Sequence, residues 1–212
     1  MSVEVRDVAP GLWLWRQPHW EWQEGDDWEP EVSSVVVESR DETVLIDPLA
    51  PPPSAREVYD RLEARRPTAV VVLKPDHVRD VDLFVHWYGI PAYGPWLYWR
   101  GDVPRTELHP VTPDDELPGG LLALDDGRGG MERPVYLSEQ RALVFADGLT
   151  APGGVLRVWW RPRLERRTLP ALRAMLELPF ERVLVSHGEP VHDRAAFIAA
   201  LDREPWSRPQ DG

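Results

Sequence analysis

The chain has 212 residues, a formal net charge of −12 and no cysteine. Its hydrophobic fraction of 42% and charged fraction of 28% are typical of a globular protein, and its length predicts a single domain over residues 1–212. The lack of cysteine excludes disulfides, thiolate metal ligands and a cysteine nucleophile, and the acidic balance argues against a nucleic-acid partner.

Tryptophans are concentrated near the start of the chain. Trp13 and Trp15 are two residues apart, as are Trp20 and Trp22, which is the spacing of side chains on one face of a strand. Packing in the core is the first interpretation of these pairs. An aromatic wall beside a substrate cleft is the alternative.

A hairpin and a helix are predicted next. Residues 32–37 and 43–46 are rich in Val, Ile and Thr, and the polar segment 39–42 between them predicts a turn. Ser54 and Glu57 have the spacing of a capping box, in which serine and glutamate each accept a hydrogen bond from a free backbone N–H. We therefore expect a helix from Ser54 that ends near Arg66.

The pattern then alternates between strand and helix. Residues 69–73 are an unbroken apolar run of the kind buried on both faces of a sheet. Apolar side chains recur at helical spacing over residues 78–88, and Gly89 can end that helix in a left-handed conformation. Loops and short strands are predicted for residues 91–130. The remaining predicted elements are a hairpin of residues 135–137 and 142–146, a helix over 164–178, a strand over 183–185 and a helix over 194–201.

Acidic and imidazole side chains follow four of the predicted strands. Asp47, the segment Asp76-His77, Asp147 and His187 each come at or just after a strand end. Ligands of α/β sheets bind where strands meet their loops, so these residues are expected to converge on one polar site. The alternative is that they are turn residues and helix caps, for which aspartate is common.

The types of side chain in this set are those that bind metals. His77 and Asp80 are three residues apart at a predicted helix start, so both can face the same point. Imidazole and carboxylate without thiolate suit zinc, iron or manganese.

The order of these motifs resembles that of the metallo-β-lactamase superfamily. The segments that carry the resemblance are Val44-Leu45-Ile46-Asp47-Pro48, the His/Asp cluster around His77, Leu143-Val144-Phe145-Ala146-Asp147-Gly148 and Val185-Ser186-His187-Gly188. The resemblance spans nearly the whole chain. It implies an α/β fold, an αββα sandwich of two mixed β-sheets flanked by helices, and hydrolysis through metal-activated water.

The resemblance also implies roles for individual residues. His77, Asp147 and His187 would be metal ligands, with Asp80 as a substitute fourth ligand and Asp47 supporting them. Asp80 or Asp147 would orient the attacking water as a catalytic group. The family commonly holds two metal ions, but the ligands that survive here would hold one divalent ion, with zinc first and iron or manganese as alternatives. A protein without any metal remains the other possibility.

This sequence departs from the family at its main motif, His-x-His-x-Asp-His. Pro75 stands at the first histidine, Arg79 at the aspartate and Asp80 at the last histidine. Residues 126–130, where the family has a further histidine, contain none. Two complete metal sites are therefore not expected.

Arg79 allows three interpretations. Its charge could repel a metal, since like charges at short distance are unfavourable. It could instead form a salt bridge with Asp147 or Asp80, or it could bind an anionic substrate through its planar guanidinium.

Two functions follow from these observations. The first is a hydrolase with one metal ion acting on an ester, a thioester or a similar small molecule, with Arg79 and His19 binding the substrate. The second is a binding module of the same fold without catalysis. The basic segment Arg161 to Arg167 is interpreted as a solvated surface, although it could contribute to binding.

The expected location is the cytoplasm. No apolar run approaches the roughly 20 residues needed to cross a bilayer. The segment from Met1 to Asp7 lacks the basic and apolar pattern of a secretion signal. We expect a small-molecule ligand and neither a membrane nor a nucleic-acid partner, and the sequence leaves the oligomeric state open.

Overall fold

The computed structural model describes residues 3–98 and 101–207. The first sheet has seven strands in chain order, the first four pairing antiparallel and the last three adding in parallel. Its strands are β1 (Glu4–Ala9), β2 (Leu12–Pro18), β3 (Glu31–Ser39), β4 (Glu42–Ile46), β5 (Ala69–Val71), β6 (Ala92–Gly94) and β7 (Leu108–Pro110).

The second sheet has five strands. A separate two-stranded ribbon is formed by residues that lie between two of these strands in the sequence. The ribbon pairs β12 (Leu149–Thr150) with β13 (Arg157–Val158). In the five-stranded sheet the order is β14, β11, β10, β9, β8, with β11 and β14 parallel. Its strands are β8 (Glu116–Leu117), β9 (Leu121–Ala123), β10 (Val135–Leu137), β11 (Ala142–Phe145) and β14 (Arg182–Val185).

Four α-helices flank the sheets. They are α1 (Arg56–Ala64), α2 (Val81–Tyr88), α3 (Leu169–Ala174) and α4 (Arg194–Ala200). A π-helical turn, Leu164–Thr168, precedes α3, and a 3₁₀ turn, Met175–Glu177, follows it. Further 3₁₀ turns are Pro118–Gly120 and Pro152–Gly154. Within the described residues, no helix is both long and apolar enough to cross a membrane.

Apolar side chains are buried in three layers, one between the sheets and one on the outer face of each sheet. Because both faces of the central strands are buried, their sequences are nearly unbroken apolar runs. Val37 on β3 packs between the sheets with Val144 on β11. The adjacent Val36 faces the opposite side and packs in the cluster that contains Phe84 of α2. On the outer face of the second sheet, Phe145 packs in the cluster that contains Phe197 of α4. The fold is therefore the αββα sandwich predicted from the sequence.

Two local predictions were wrong. Helix α1 begins at Arg56, and its N-cap, Ala55, makes no side-chain capping bond. Instead the N–H of Ala55 donates to the carbonyl of Pro52 at 2.9 Å, so a proline turn starts this helix. Trp20 and Trp22 lie in the loop between β2 and β3, whereas Trp13 and Trp15 are buried on β2 as expected.

Candidate metal centre

The edges of the two sheets meet where the sequence predicted a polar site. The N–H of Ser33 on β3 donates to the carbonyl of Ser186 after β14 at 2.9 Å, which joins the sheets. Asp47, His77, Asp147 and His187 follow β4, β5, β11 and β14 and come together at this edge. Strand ends that are far apart in sequence thus supply one cluster.

Asp47 fixes the orientation of the His77 ring. It has a positive φ of 46°, and its Oδ1 accepts a hydrogen bond from the backbone N–H of Leu73 at 2.8 Å. Its Oδ2 lies 2.9 Å from His77 Nδ1. The other ring nitrogen, Nε2, consequently faces Asp147, with 3.1 Å to Oδ1.

His187 approaches the same carboxylate oxygen from the second sheet. Its Nε2 lies 3.2 Å from Asp147 Oδ1, and its Nδ1 is buried without a hydrogen-bond partner in the described structure. Gly188 follows with a φ of 110°, and a Cβ at this position would lie 2.3 Å from the carbonyl oxygen of Ala151. Only glycine fits there, and this close approach holds the His187 backbone in place.

These three residues form a donor set that fits one divalent cation. One ligand atom each from His77, Asp147 and His187 lies within 4.8 Å of the other two. Nitrogen and oxygen ligands around a tetrahedral zinc are separated by about 3.3 Å, given bonds of about 2.0–2.1 Å. A histidine that binds metal commonly donates its other N–H to a carboxylate, as His77 is placed to do with Asp47.

Lys74 is the cation of this site that sequence reasoning missed. It is the only lysine in the chain and is buried, with its Nζ 2.5 Å from Asp147 Oδ2. It also forms an ion pair with Asp76. Its uniqueness and its place just before Asp76-His77 were the available signals. A compact ammonium fits between two carboxylates where a broad, planar guanidinium fits less well.

The charges of the cluster shift one another's ionisation. Burial alone would lower the pKa of His77, but Asp147 and Asp47 outweigh it and raise the pKa to about 9. Burial would raise the pKa of Asp147, yet His77 and Lys74 hold it well below its usual value. Burial lowers the pKa of His187, which Asp147 only partly offsets. Asp147 is therefore an anion between cationic groups.

Of the three interpretations of Arg79, the structure contradicts one, the salt bridge with Asp147 or Asp80. Its NH1 donates to the carbonyls of Ser33 and Asp47 at 2.8 and 2.7 Å, and its NH2 donates to Ser186 Oγ at 2.6 Å. It binds main-chain and hydroxyl oxygens of both sheets, and it forms a salt bridge with neither Asp147 nor Asp80 within the described structure. Its φ of 45° turns the chain so that the guanidinium reaches these acceptors.

The structure does not bring Asp80 to the three donors. Asp80 directly precedes α2, and its Oδ2 accepts a hydrogen bond from the N–H of Ala50 at 2.7 Å. Its carboxylate therefore stabilises the loop after β4. No ligand or catalytic role follows from this position.

Glu132 supports Asp147 through the backbone and was not predicted. Its two oxygens accept the N–H groups of Ala146 and Asp147 at 2.9 and 3.1 Å. Arg128 neutralises this fully buried carboxylate, with NH1 2.6 Å from Oε2. No local pattern in the sequence distinguishes Glu132 from a surface glutamate.

A pocket of about 730 Å³ opens over the cluster. His19 lies in its wall, stacked on Trp20 with ring centroids 4.5 Å apart. Burial, followed by Arg79, His77 and His187, lowers the pKa of His19 to about 4, so the ring is neutral at pH 7. The pocket gives a small molecule access to the three donor atoms.

Comparisons with known proteins agree with the fold. The sequence profile of the metallo-beta-lactamase superfamily matches residues 28–139, which is more than half of the chain. A comparison with curated proteins finds no match.

Solved structures cover nearly the whole chain at low sequence identity. A metallo-beta-lactamase from Pontibacter korlensis is similar with 16% identity and a TM-score of 0.69, over 96% of this chain and all of its own. The FIM-1 metallo-beta-lactamase from Pseudomonas aeruginosa, in its mono-zinc form, has 18% identity and a TM-score of 0.70, over 95% and 94% of the two chains. One from Hirschia baltica has 17% identity and a TM-score of 0.66, over 95% and 97%.

These similarities to solved structures extend past residue 139 to the strands that carry Asp147 and His187. With the profile match and the sandwich of two sheets, they place the chain in a family: it belongs to the metallo-β-lactamase superfamily.

Proposed function

We propose that the protein is a metal-dependent hydrolase whose site holds one divalent ion, zinc before iron or manganese. His77, Asp147 and His187 are its ligands. The observation that carries this proposal is the convergence of His77 Nε2 and His187 Nε2 on Asp147 Oδ1 in a pocket that all three residues line. A divalent ion bound there would lower the pKa of a coordinated water to about 7 and supply a nucleophile at neutral pH.

The surrounding residues hold these ligands in place. Asp47 fixes the His77 ring, and Glu132 holds the Asp147 backbone. The Asp147 carboxylate lines the pocket and would orient the attacking water. Preorganised groups of this kind contribute to catalysis because they need no rearrangement as the reaction proceeds.

Lys74 explains why one ion is proposed and not two. Its ammonium already binds Asp147 Oδ2, so this oxygen is paired with a protein cation. The segment 126–130 supplies no histidine, and Arg128 within it is paired with Glu132. A single zinc is compatible with this fold, since the FIM-1 structure was determined in a mono-zinc form.

The substrate class is a small ester, thioester or similar molecule. The pocket volume of about 730 Å³ is in the range of sites for small ligands. His19, neutral in the pocket wall, is a candidate contact for the substrate.

A binding module without catalysis is the second candidate, and one observation favours it. Lys74, Asp147, His77 and Asp47 form a continuous chain of alternating charges when His77 is protonated. The Asp147 carboxylate is then compensated by protein cations alone. In this case zinc would not bind and the pocket would serve recognition.

Zinc-dependent hydrolysis tests the proposal. The protein is dialysed against a chelating resin, and its hydrolysis of para-nitrophenyl acetate and of a thioester analogue is measured with and without added zinc. We expect zinc to restore activity in the wild type and in His86→Ala, an exposed histidine on α2, but not in His187→Ala. Equal activity of the wild type and His187→Ala, or no hydrolysis of either substrate by the zinc-treated wild type, would contradict it.

A further inference from the structure

One wall of the pocket carries a group of arginines that the proposed function does not use. Arg161, Arg163 and Arg167 line the same pocket as His77, Asp147 and His187. They belong to the segment between β13 and α3, where buried Leu164 and Thr168 anchor the π-helical turn to the domain. The turn thus directs a basic surface into the pocket of a chain whose net charge is −12.

These three guanidinium groups lack partners, unlike Arg79 and Arg128, which also line the pocket. Among the described residues, none of the three forms an ion pair or a side-chain hydrogen bond, although Glu21 and Asp27 also line the pocket. The Nε of Arg161 is buried without an acceptor. Buried polar groups normally have partners, so Arg161 calls for an acceptor that the chain does not supply, whereas Arg163 and Arg167 are exposed and available to an anion.

The backbone turns between these arginines. Arg163 has a φ of 67°, and its carbonyl accepts the N–H of Arg167 at 3.0 Å. Arg161, two residues earlier, extends the same surface into the pocket.

The wall around His187 is aromatic. The rings of Trp28 and Trp159 meet the imidazole of His187 edge-on, with centroid distances of 4.9 and 5.7 Å. Both side chains line the pocket. The pocket therefore offers an apolar surface near the donor atoms and cationic groups on the segment beyond them.

We propose that this pocket binds an anionic substrate, whose carboxylate or phosphate is held by Arg161, Arg163 and Arg167 while its apolar part packs on Trp28 and Trp159. Guanidinium groups bind both anions through paired N–H donors, which favours them over a single ammonium for this task. The position of the hydrolysed bond over His77, Asp147 and His187 rests on the proposed function. Binding of the anion does not.

Isothermal titration calorimetry with three aromatic probes tests the inference. Benzoate and phenyl phosphate carry the two candidate anions, and benzamide is their neutral counterpart. We expect at least one anion to bind the full-length wild type, and its affinity to fall at least about tenfold in the double variant Arg161→Gln/Arg163→Gln. Benzamide should bind more weakly than that anion in the wild type and equally in both proteins.

Two controls make the result specific. Arg166→Gln removes an exposed arginine of the same segment that does not line the pocket, so it should leave anion affinity unchanged. Arg161→Lys/Arg163→Lys keeps the charge and should recover part of the affinity lost in the glutamine variant. Equal losses in Arg166→Gln and the double glutamine variant, or no binding of either anion by the wild type, would overturn the proposal.

A comparison of zinc-treated and resin-dialysed protein separates this inference from the proposed function. Anion binding that persists without zinc and depends on the two arginines supports the inference even if no hydrolysis is found. Anion binding that requires zinc and is unaffected by the arginine substitutions would overturn it, since the metal would then be the anion site.

Discussion

Lys74 and Asp147 form an ion pair at the centre of the site, with Nζ 2.5 Å from Oδ2. The other oxygen of the same carboxylate, Oδ1, lies 3.1 and 3.2 Å from the Nε2 atoms of His77 and His187. The carboxylate thus presents one oxygen to a protein cation and the other to two potential metal ligands. This division is the structural basis for proposing a single ion.

Replacing Lys74 by methionine should increase zinc affinity. Methionine keeps an unbranched side chain but removes a positive charge beside the ligand carboxylate, so we expect a gain of about tenfold or more. Competition with a chromogenic chelator measures the affinity. Lys74→Arg keeps the charge and should show no gain. Equal zinc affinity of Lys74→Met and the wild type would show that the ammonium does not oppose the metal.

Arg79→Ala should destabilise the protein, with or without zinc. The guanidinium makes hydrogen bonds to Ser33, Asp47 and Ser186 across both sheets, and bonds to charged groups contribute about 1.5–3 kcal/mol each. We expect a loss of about 3 kcal/mol in the free energy of unfolding, from denaturant titration. Arg66→Ala, at an exposed position, is the control. Full recovery of Arg79→Ala by zinc would contradict the structural role.

Glu132→Gln should weaken zinc binding without removing a ligand. Only one oxygen remains to accept the N–H groups of Ala146 and Asp147, so the position of the ligand carboxylate is less well fixed. Loss of a group that supports a metal ligand typically lowers affinity by about 10–100-fold. The exposed Glu139→Gln should bind zinc like the wild type. An unchanged affinity in Glu132→Gln would exclude this supporting role.

The buried pair Asp126 and Glu132 predicts a pH dependence of stability. Burial and then Glu132 raise the pKa of Asp126 from 3.8 to about 7, despite the nearby Arg128. A carboxyl whose pKa is raised on folding binds protons more tightly in the folded state. Its contribution is therefore most favourable below pH 3.8 and is lost as the pH rises through about 7.

Asp126→Asn removes this ionisation and keeps an oxygen for the N–H of Arg128, which Asp126 Oδ1 accepts at 2.9 Å. The variant should gain stability relative to the wild type between about pH 5 and pH 8, on the order of 1 kcal/mol or more. Denaturant titrations across this range measure the difference. A difference that is constant with pH would show that Asp126 titrates normally.

The sequence predicted those parts of the site that depend on strand ends. Asp47, Asp147 and His187 directly follow apolar strands, and parallel neighbours such as β11 and β14 place their ends at one edge. The αββα sandwich was implied by the resemblance of the motif order to the metallo-β-lactamase superfamily. These features are local in the chain and need no knowledge of side-chain contacts.

The remaining parts of the site depend on contacts between distant segments. Lys74 reaches Asp147 from the segment after β5, and Glu132 from the segment before β10. Arg79 bonds to oxygens of residues 32 to 107 positions away. Asp80 is only three residues from His77, yet it lies at the N-terminus of α2 and its carboxylate accepts the N–H of Ala50. Sequence spacing does not encode these choices.

The number of zinc ions bound per chain tests the central claim most directly. Wild-type protein and His187→Ala are equilibrated with excess zinc, passed over a desalting column and analysed by inductively coupled plasma mass spectrometry. A site built from His77, Asp147 and His187 predicts close to one zinc per chain in the wild type and almost none in His187→Ala. Two zinc ions per chain, or none in the wild type, would contradict a centre that holds one metal ion.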